Sequence, residues 1–251
     1  MFGSKKISYL GIDLGTSSIK VVELANYSGR PRLSTYGFTE KNTAEIGNDN
    51  LLNDVSGTAN ILKEILKKSK TSTNKAIAAL PTFSVFTSII TLPYLNKKEL
   101  ASAISWEAKK IIPLPLEEVI LDWKIIEEFD SVPSVVKDNG SLSQESRPLK
   151  KIFSKTQKNI RILLTGASKN LIKKYVEIFS KAGVELLSLE IESFALVRSL
   201  IGADKSVAMI VDLGASTSSI LVVRNGIPMI ARSIELGGQS LTKSISGAIN
   251  V

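Results

Sequence analysis

Residues 11–24, GIDLGTSSIKVVEL, return in altered form as MIVDLGASTSSILVV at residues 209–223, so one chain carries two Asp-Leu-Gly turns, Asp13 to Gly15 and Asp212 to Gly214. Each copy is an apolar run, an Asp-x-Gly followed by small hydroxyl residues, and a second apolar run, which predicts two strands joined by a tight turn. Glycine in such a turn lets backbone N–H groups approach an anion closely. Nearby hydroxyls add donors, and a carboxylate can hold a divalent cation through water. One Asp-x-Gly alone is common hairpin chemistry. Two copies with the same flanks predict a clamp, with Gly15, Thr16, Ser17 and Ser18 lining one side of a phosphate tail and Gly214, Ala215, Ser216 and Thr217 the other. Asp13 and Asp212 would then face Mg²⁺ through water.

Composition supports that chemistry by exclusion. The chain has no cysteine and no histidine, which removes thiolate nucleophiles, disulfides, Cys/His zinc sites and imidazole acid–base catalysis. Carboxylates, hydroxyls, lysines and backbone amides remain, and these suit hard cations and phosphate groups. A net charge of +8 attracts anions, but aromatics make up only 6% of the chain and no basic-aromatic motif points to nucleic acid. The longest apolar runs fall short of the roughly 18–20 residues needed to cross a bilayer. The start MFGSKK leads into a strand pattern rather than a signal peptide, so a cytoplasmic globular protein is expected.

Along the chain, strands are predicted at residues 7–24 and 32–38, then a polar loop, then a helix over 51–68 with Leu51, Leu52, Val55, Ala59, Leu62, Ile65 and Leu66 at helical spacing. Strands follow at 75–79 and 85–92, each ending at a proline. Asn96 with Glu99 reads as a helix start and Pro113 as its stop, with Leu100, Ala103, Ile104, Ala108 and Ile111 forming the buried stripe. Trp106 falls well off that stripe, so it either packs on a neighbouring subdomain or marks a partner groove.

A turn and a strand carrying Trp123 come next, and from Asp130 to Lys158 the pattern dissolves into a long loop or hairpin tip. Its cluster Arg147, Lys150, Lys151, Lys155, Lys158 and Arg161 reads as a solvated charge run, or else as a site for an anionic partner. After a strand at 160–165, a helix runs from the Ser168 cap to Ala182 and stops at Gly183, with Leu171, Ile172, Tyr175, Val176 and Phe179 facing inward. A strand (184–191), a helix (193–201) closed by Gly202, the second hairpin, a strand at 227–234 and Gly237-Gly238 before a last helix complete the pattern. Because that helix lacks a stop signal, a C-terminal truncation is expected.

The alternative phosphate motifs are absent, since neither Gly-x-x-x-x-Gly-Lys-[Ser/Thr] nor Gly-x-Gly-x-x-Gly after the first strand occurs. The combination that is present resembles the superfamily of actin, sugar kinases and heat-shock chaperone ATPases: Asp-x-Gly-[Thr/Ser] near the start, an acidic residue opening a helix upstream of a second Asp-x-Gly, and Gly-Gly after a following hairpin. Within it, GIDLGTSSIKVVEL, SWEAKKIIPLPLEEVILDW and LEIESFALVRSL are similar to the PilM family of actin-like type IV pilus assembly proteins, and more distantly to the FtsA division proteins.

The resemblance implies an α/β, actin-like (ribonuclease H-like) fold with a small α+β insert, divided as residues 1–83, 84–182 and 183–251. It implies ATP and Mg²⁺ as ligands, with slow or absent hydrolysis, and an adenosine motif beyond Val251. Lys20 stands where the superfamily often places a phosphate-contacting lysine, or else is a strand lysine in solvent. Glu192 matches the residue that positions the attacking water, although Glu190 lies close. The implied partner is the N-terminal cytoplasmic peptide of a PilN-type inner-membrane protein, held in a groove near the insert, with Trp106 in or near partner-facing territory. Further pilus assembly proteins and self-assembly are also implied, with the membrane reached only through the partner. A division filament of the FtsA kind and a small-molecule kinase of the same superfamily are the alternatives.

Overall fold

The computed structural model describes residues 7–40, 51–130 and 158–249. Strand β1 (Ser8–Leu14) alternates inward apolar residues with outward ones, burying Leu10, Ile12 and Leu14, and turns into β2 (Ser18–Tyr27) and then β3 (Arg30–Glu40) as an antiparallel meander. The β2–β3 turn needs positive φ at both central residues, Ser28 and Gly29, and the Asn26 side chain accepts the Gly29 N–H at 2.8 Å.

Helix α1 (Val55–Lys68) starts later than its apolar spacing predicts, because Asp54 caps it by accepting the Gly57 N–H at 2.8 Å. Leu51 and Leu52 are buried from a separate 3₁₀ turn, Leu51–Asn53. Strand β4 (Lys75–Leu80) then pairs in parallel with β1.

The next segment builds its own sheet. Strand β5 (Val85–Pro93), helix α2 (Lys97–Ile111), strand β6 (Val119–Asp130) and strand β7 (Lys158–Ser168) give the antiparallel order β5-β7-β6. The Asn96 side chain caps α2 as expected, accepting the N–H groups of Lys98 and Glu99 at 3.1 Å each. Its buried stripe is Leu100, Ile104 and Ala108, but Ile111 is 37% exposed and Ile112 takes its place inside. The helix ends at Ile111, and the extended backbone at Ile112 turns that side chain toward the core. Asp130 pairs with Lys158, so β6 and β7 form a long hairpin. Arg147, Lys150, Lys151 and Lys155 lie outside the described residues. Arg161 is no member of a solvated run, since it pairs with Glu127 and lies over the Phe129 ring, 5.0 Å from its centroid.

Helix α3 (Lys169–Ala182) runs from a Ser168 cap to Gly183, which adopts the left-handed conformation (φ 76°) of a helix stop. Its inner face is Tyr175, Ile178, Phe179 and Ala182; Val176 is 51% exposed, because the stripe drifts toward Ile178 as α3 packs beside α1. Strand β8 (Glu185–Ile191) pairs in parallel with β4, completing the order β3-β2-β1-β4-β8. Sheet pairing therefore puts β8 with the first sheet, although the division at residue 183 assigns it to the following lobe. Helices α1 and α3 cover one face of this sheet, and the main core lies between them.

Helix α4 (Glu192–Leu200) leads to a third sheet of β9 (Ala208–Leu213), β10 (Ser218–Arg224) and β11 (Ile227–Ile234), followed by helix α5 (Gly238–Ile249). Val197, Ile210, Leu221 and Val223 form its core. The other face exposes Met209, Val211 and Leu213, while α5 exposes Leu241, Ile245 and Ile249 at helical spacing. Among the described residues no helix is long and apolar enough to cross a membrane.

Candidate functional site

The two Asp-Leu-Gly turns close with the same bond. The Gly15 N–H donates to the Ser18 carbonyl at 3.0 Å, and the Gly214 N–H donates to the Thr217 carbonyl at 2.9 Å. Thr16, Ser17 and Ser18 in one copy and Ala215, Ser216 and Thr217 in the other are half-buried, accessible to a ligand without being loose loops. A Cβ on Gly15 or Gly214 would lie 3.0 or 2.8 Å from those carbonyl oxygens, so glycine is what lets each turn close.

The copies differ where their surroundings differ. Across the hairpin Asp13 stands opposite Lys20, whereas Asp212 stands opposite Ser219. Lys20 bridges to Asp13 at 3.0 Å and arches over the first turn, its Nζ 3.8 Å from where a Gly15 Cβ would be. Lys20 is thus a solvent-exposed strand lysine, 59% exposed, that pairs with the turn's aspartate. The second turn is braced from behind by α5: the N–H groups of Gly238 and Gln239 donate to the carbonyls of Gly214 and Ala215 at 2.9 and 3.0 Å. Gly237 leaves no room for a side chain, since a Cβ there would fall 2.5 Å from the Ala215 carbonyl oxygen.

Glu192 opens α4, where the helix dipole favours a carboxylate. Its Oε2 accepts the Thr82 N–H at 3.2 Å and the Thr82 hydroxyl at 3.4 Å. Burial, and after it the charges of Asp13 and Asp212, hold its carboxyl above the ordinary glutamate range against the opposing Thr82 bonds. The three carboxylates thus share one electrostatic neighbourhood. Glu190 goes elsewhere, into a two-pronged pair with Arg198. Geometry separates the two glutamates that adjacency in the sequence left unranked. Thr82, in the 3₁₀ turn Thr82–Ser84, was missed by sequence reading; the only signal for it was Pro81 ending the preceding strand.

The described residues contain no group of three or more carboxylates placed to hold a metal ion by themselves. Glycine turns, hydroxyls, a lysine and an aspartate beside each turn are the kinds of group that suit a magnesium–nucleotide tail.

The sequence pattern of the family described as type IV pilus assembly protein PilM matches residues 11–139 and 148–251. The chain belongs to this family. A solved PilM–PilN type IV pilus biogenesis complex contains a chain that superposes with a TM-score of 0.72 at 22% identity, over 98% of this chain and 66% of that one. The ethanolamine utilization protein EutJ of Carboxydothermus hydrogenoformans follows with a TM-score of 0.52 at 16% identity, over 97% and 57%. Among curated proteins, the cell division protein FtsA of Bacillus subtilis (strain 168) is 27% identical over 143 residues, 56% of this chain and 30% of its own length. The chain thus spans less than two thirds of these relatives. This PilM-family chain has an actin-like fold.

Two further features bear on partners. Trp106 does not pack on a neighbouring subdomain: it is 63% exposed on the outer side of α2, with the Lys110 ammonium 3.3 Å from its ring centroid. On β7, Ile160, Ile162 and Leu164 face the core beneath α2, while Leu163 and Thr165 face the other way. On that opposite face a cavity of about 320 Å³ opens between the insert and the first sheet, bounded by Ile120, Leu163, Leu80, Leu189 and Phe194, with Asp122 at its edge.

Proposed function

We propose that this PilM-family chain is the nucleotide-binding part of a cytoplasmic adaptor that docks on the N-terminal cytoplasmic peptide of a PilN-type inner-membrane protein, and so works at the membrane without entering it. The observation that carries the nucleotide half is the pair of turns, each closed by the equivalent glycine N–H to carbonyl bond, with Glu192 between them in sequence and within the field of both aspartates. Asp13 and Asp212 hold Mg²⁺ through water, and the two turns with Lys20 hold the phosphates of ATP. The bound nucleotide supplies charge that links the turn of the first sheet to that of the third. Glu192, kept above its ordinary range, positions a water beside the phosphates. Turnover is slow, and the nucleotide serves chiefly to fix the angle between lobes. The β5-β7-β6 sheet with α2 is a protein-binding unit inserted between the strands of the first sheet.

The peptide half rests on the cavity between insert and first sheet, whose apolar walls and polar rim suit a short segment with one or two apolar anchors. Trp106, across the three-stranded sheet from it, is the competing docking position. Titration of the full-length protein with a PilN-type N-terminal peptide separates them. Ile120→Asp is expected to weaken binding at least tenfold while Trp106→Ala leaves it within twofold; the reverse pattern would move the docking surface to α2.

A further inference from the structure

Helices α1 and α3 cover one face of the first sheet, and their outer sides carry most of the chain's surplus charge. On α1 and in the turn after it stand Lys63, Lys67, Lys68 and Lys70; on α3 stand Lys169, Lys173, Lys174 and Lys181. Against these eight lysines the same segments hold three acids, Asp54, Glu64 and Glu177, an excess of five positive charges on a chain of net charge +8. Each acid is already engaged. Asp54 caps α1, Glu64 pairs with Lys68 at 3.3 Å and Glu177 pairs with Lys181 at 3.0 Å. Lys63, Lys67, Lys70, Lys169 and Lys173 are exposed and form no ion pair among the described residues.

The two helices present this charge as one face. Lys174 Nζ donates to Asn53 Oδ1 at 3.3 Å and Lys181 Nζ to Ser56 Oγ at 3.1 Å, which holds α3 against the start of α1. Neither helix carries an arginine or an exposed aromatic residue; Tyr175 and Phe179 are turned into the core, and Val176 is the exposed apolar side chain among the lysines of α3. Nucleic acids are gripped by stacking rings and by the forked guanidinium, whereas lysines alone are point charges on flexible stems, suited to a diffuse anionic layer. The surroundings narrow the choice further. Ile172, between Lys169 and Lys173 on α3, lines the cavity of about 320 Å³ that is proposed above to take a peptide of a membrane protein.

We propose that the lysine face of α1 and α3 docks on the anionic phospholipid headgroups of a membrane, so that the chain touches the bilayer directly, beside its peptide partner. The choice of lipid over another polyanion rests on the peptide-docking reading above, because a cavity that holds a short cytoplasmic segment of a membrane protein lies close to the bilayer. The contact is peripheral. Lysine ammonium groups lie among the phosphates, and no element enters the hydrocarbon.

The test is sedimentation of the full-length protein, without any partner, with vesicles of one part phosphatidylglycerol to two parts phosphatidylcholine and with vesicles of phosphatidylcholine alone. Wild type is expected to bind the first and not the second, and to be released at about 0.5 M salt as screening shortens the reach of each charge. Lys63→Gln/Lys67→Gln/Lys173→Gln is expected to bind about tenfold or more weakly at an unchanged melting temperature. Lys97→Gln/Lys98→Gln/Lys109→Gln, which removes the same charge from α2, is expected to stay within about twofold of wild type. Equal binding to both vesicles, binding to neither, or equal losses in the two variants would each overturn the proposal. So would a wild type that ignores the vesicles but binds double-stranded DNA through the same lysines. Absent lipid binding beside a normal PilN-type peptide titration would overturn this face alone, while lipid binding by a protein that takes no peptide would support the face and overturn the docking reading.

Discussion

At Glu192 burial and the charges of Asp13 and Asp212 push the carboxyl pKa up, and two bonds from Thr82 pull it down; the upward influences win. The folded state then binds the extra proton between the ordinary glutamate pKa and the raised one. Stability falls as pH rises through that window, and the penalty is complete above it. Glu192→Gln keeps an acceptor for Thr82 and removes the charge. The variant is expected to melt roughly 1–4 °C above wild type at pH 7, with the gain gone below about pH 4, where the carboxyl is protonated in both states. Thermal scans at the two pH values check this, and a gain that persists at low pH would contradict it. Aspartates, glycines and hydroxyls of the turns were legible in the sequence because the echo repeats them. Thr82 was not, since what marks it is the Glu192 carboxylate it faces across the fold.

The two hairpins illustrate what an element inherits from its neighbours. Leu14 and Leu213 occupy equivalent places, yet Leu14 is 1% exposed beneath α1 and α3 whereas Leu213 is 67% exposed on the third sheet. Sequence periodicity identified most helices and strands here, and Asn96, Ser168 and Gly183 mark ends as their chemistry requires. It failed where a cap or a helix end sets the phase: Asp54 delays the start of α1 from residue 51 to Val55, and Ile112 replaces Ile111. The brace of α5 on the second turn could not be read from Gly237-Gly238 alone, because the reason for glycine is the backbone of residues 214 and 215. Gly237→Ala forces a Cβ to 2.6 Å from both the Gly214 carbonyl oxygen and the Ala215 carbonyl carbon. The contacted atoms are backbone and cannot swing aside. The substitution is expected to cost about 1–3 kcal/mol in urea unfolding and to weaken nucleotide binding as the turn opens; an unchanged unfolding midpoint would show that α5 does not brace it.

On the scale of the molecule, two of the three sheets and the helix between them supply the charged residues of the candidate site. The first sheet supplies Asp13 and Lys20, the third supplies Asp212, and α4 between them supplies Glu192 at the junction with Thr82. The echo predicts two turns lining one clamp, and β8 and α4 are the elements that carry the chain from the first sheet to the third. Met209, Val211 and Leu213 on β9 and Leu241, Ile245 and Ile249 on α5 are exposed apolar residues of the third sheet and the helix that follows it. That two walls serve one ligand is the central claim, and a double-mutant cycle on Mg²⁺·ATP binding by the full-length protein tests it most directly. Asp13→Ala and Asp212→Ala should each weaken binding at least tenfold, and the double variant should lose clearly less than the product of the single losses, because both act on one bound phosphate tail. Strictly multiplicative losses, or an Asp212→Ala variant that binds like wild type, would contradict the clamp.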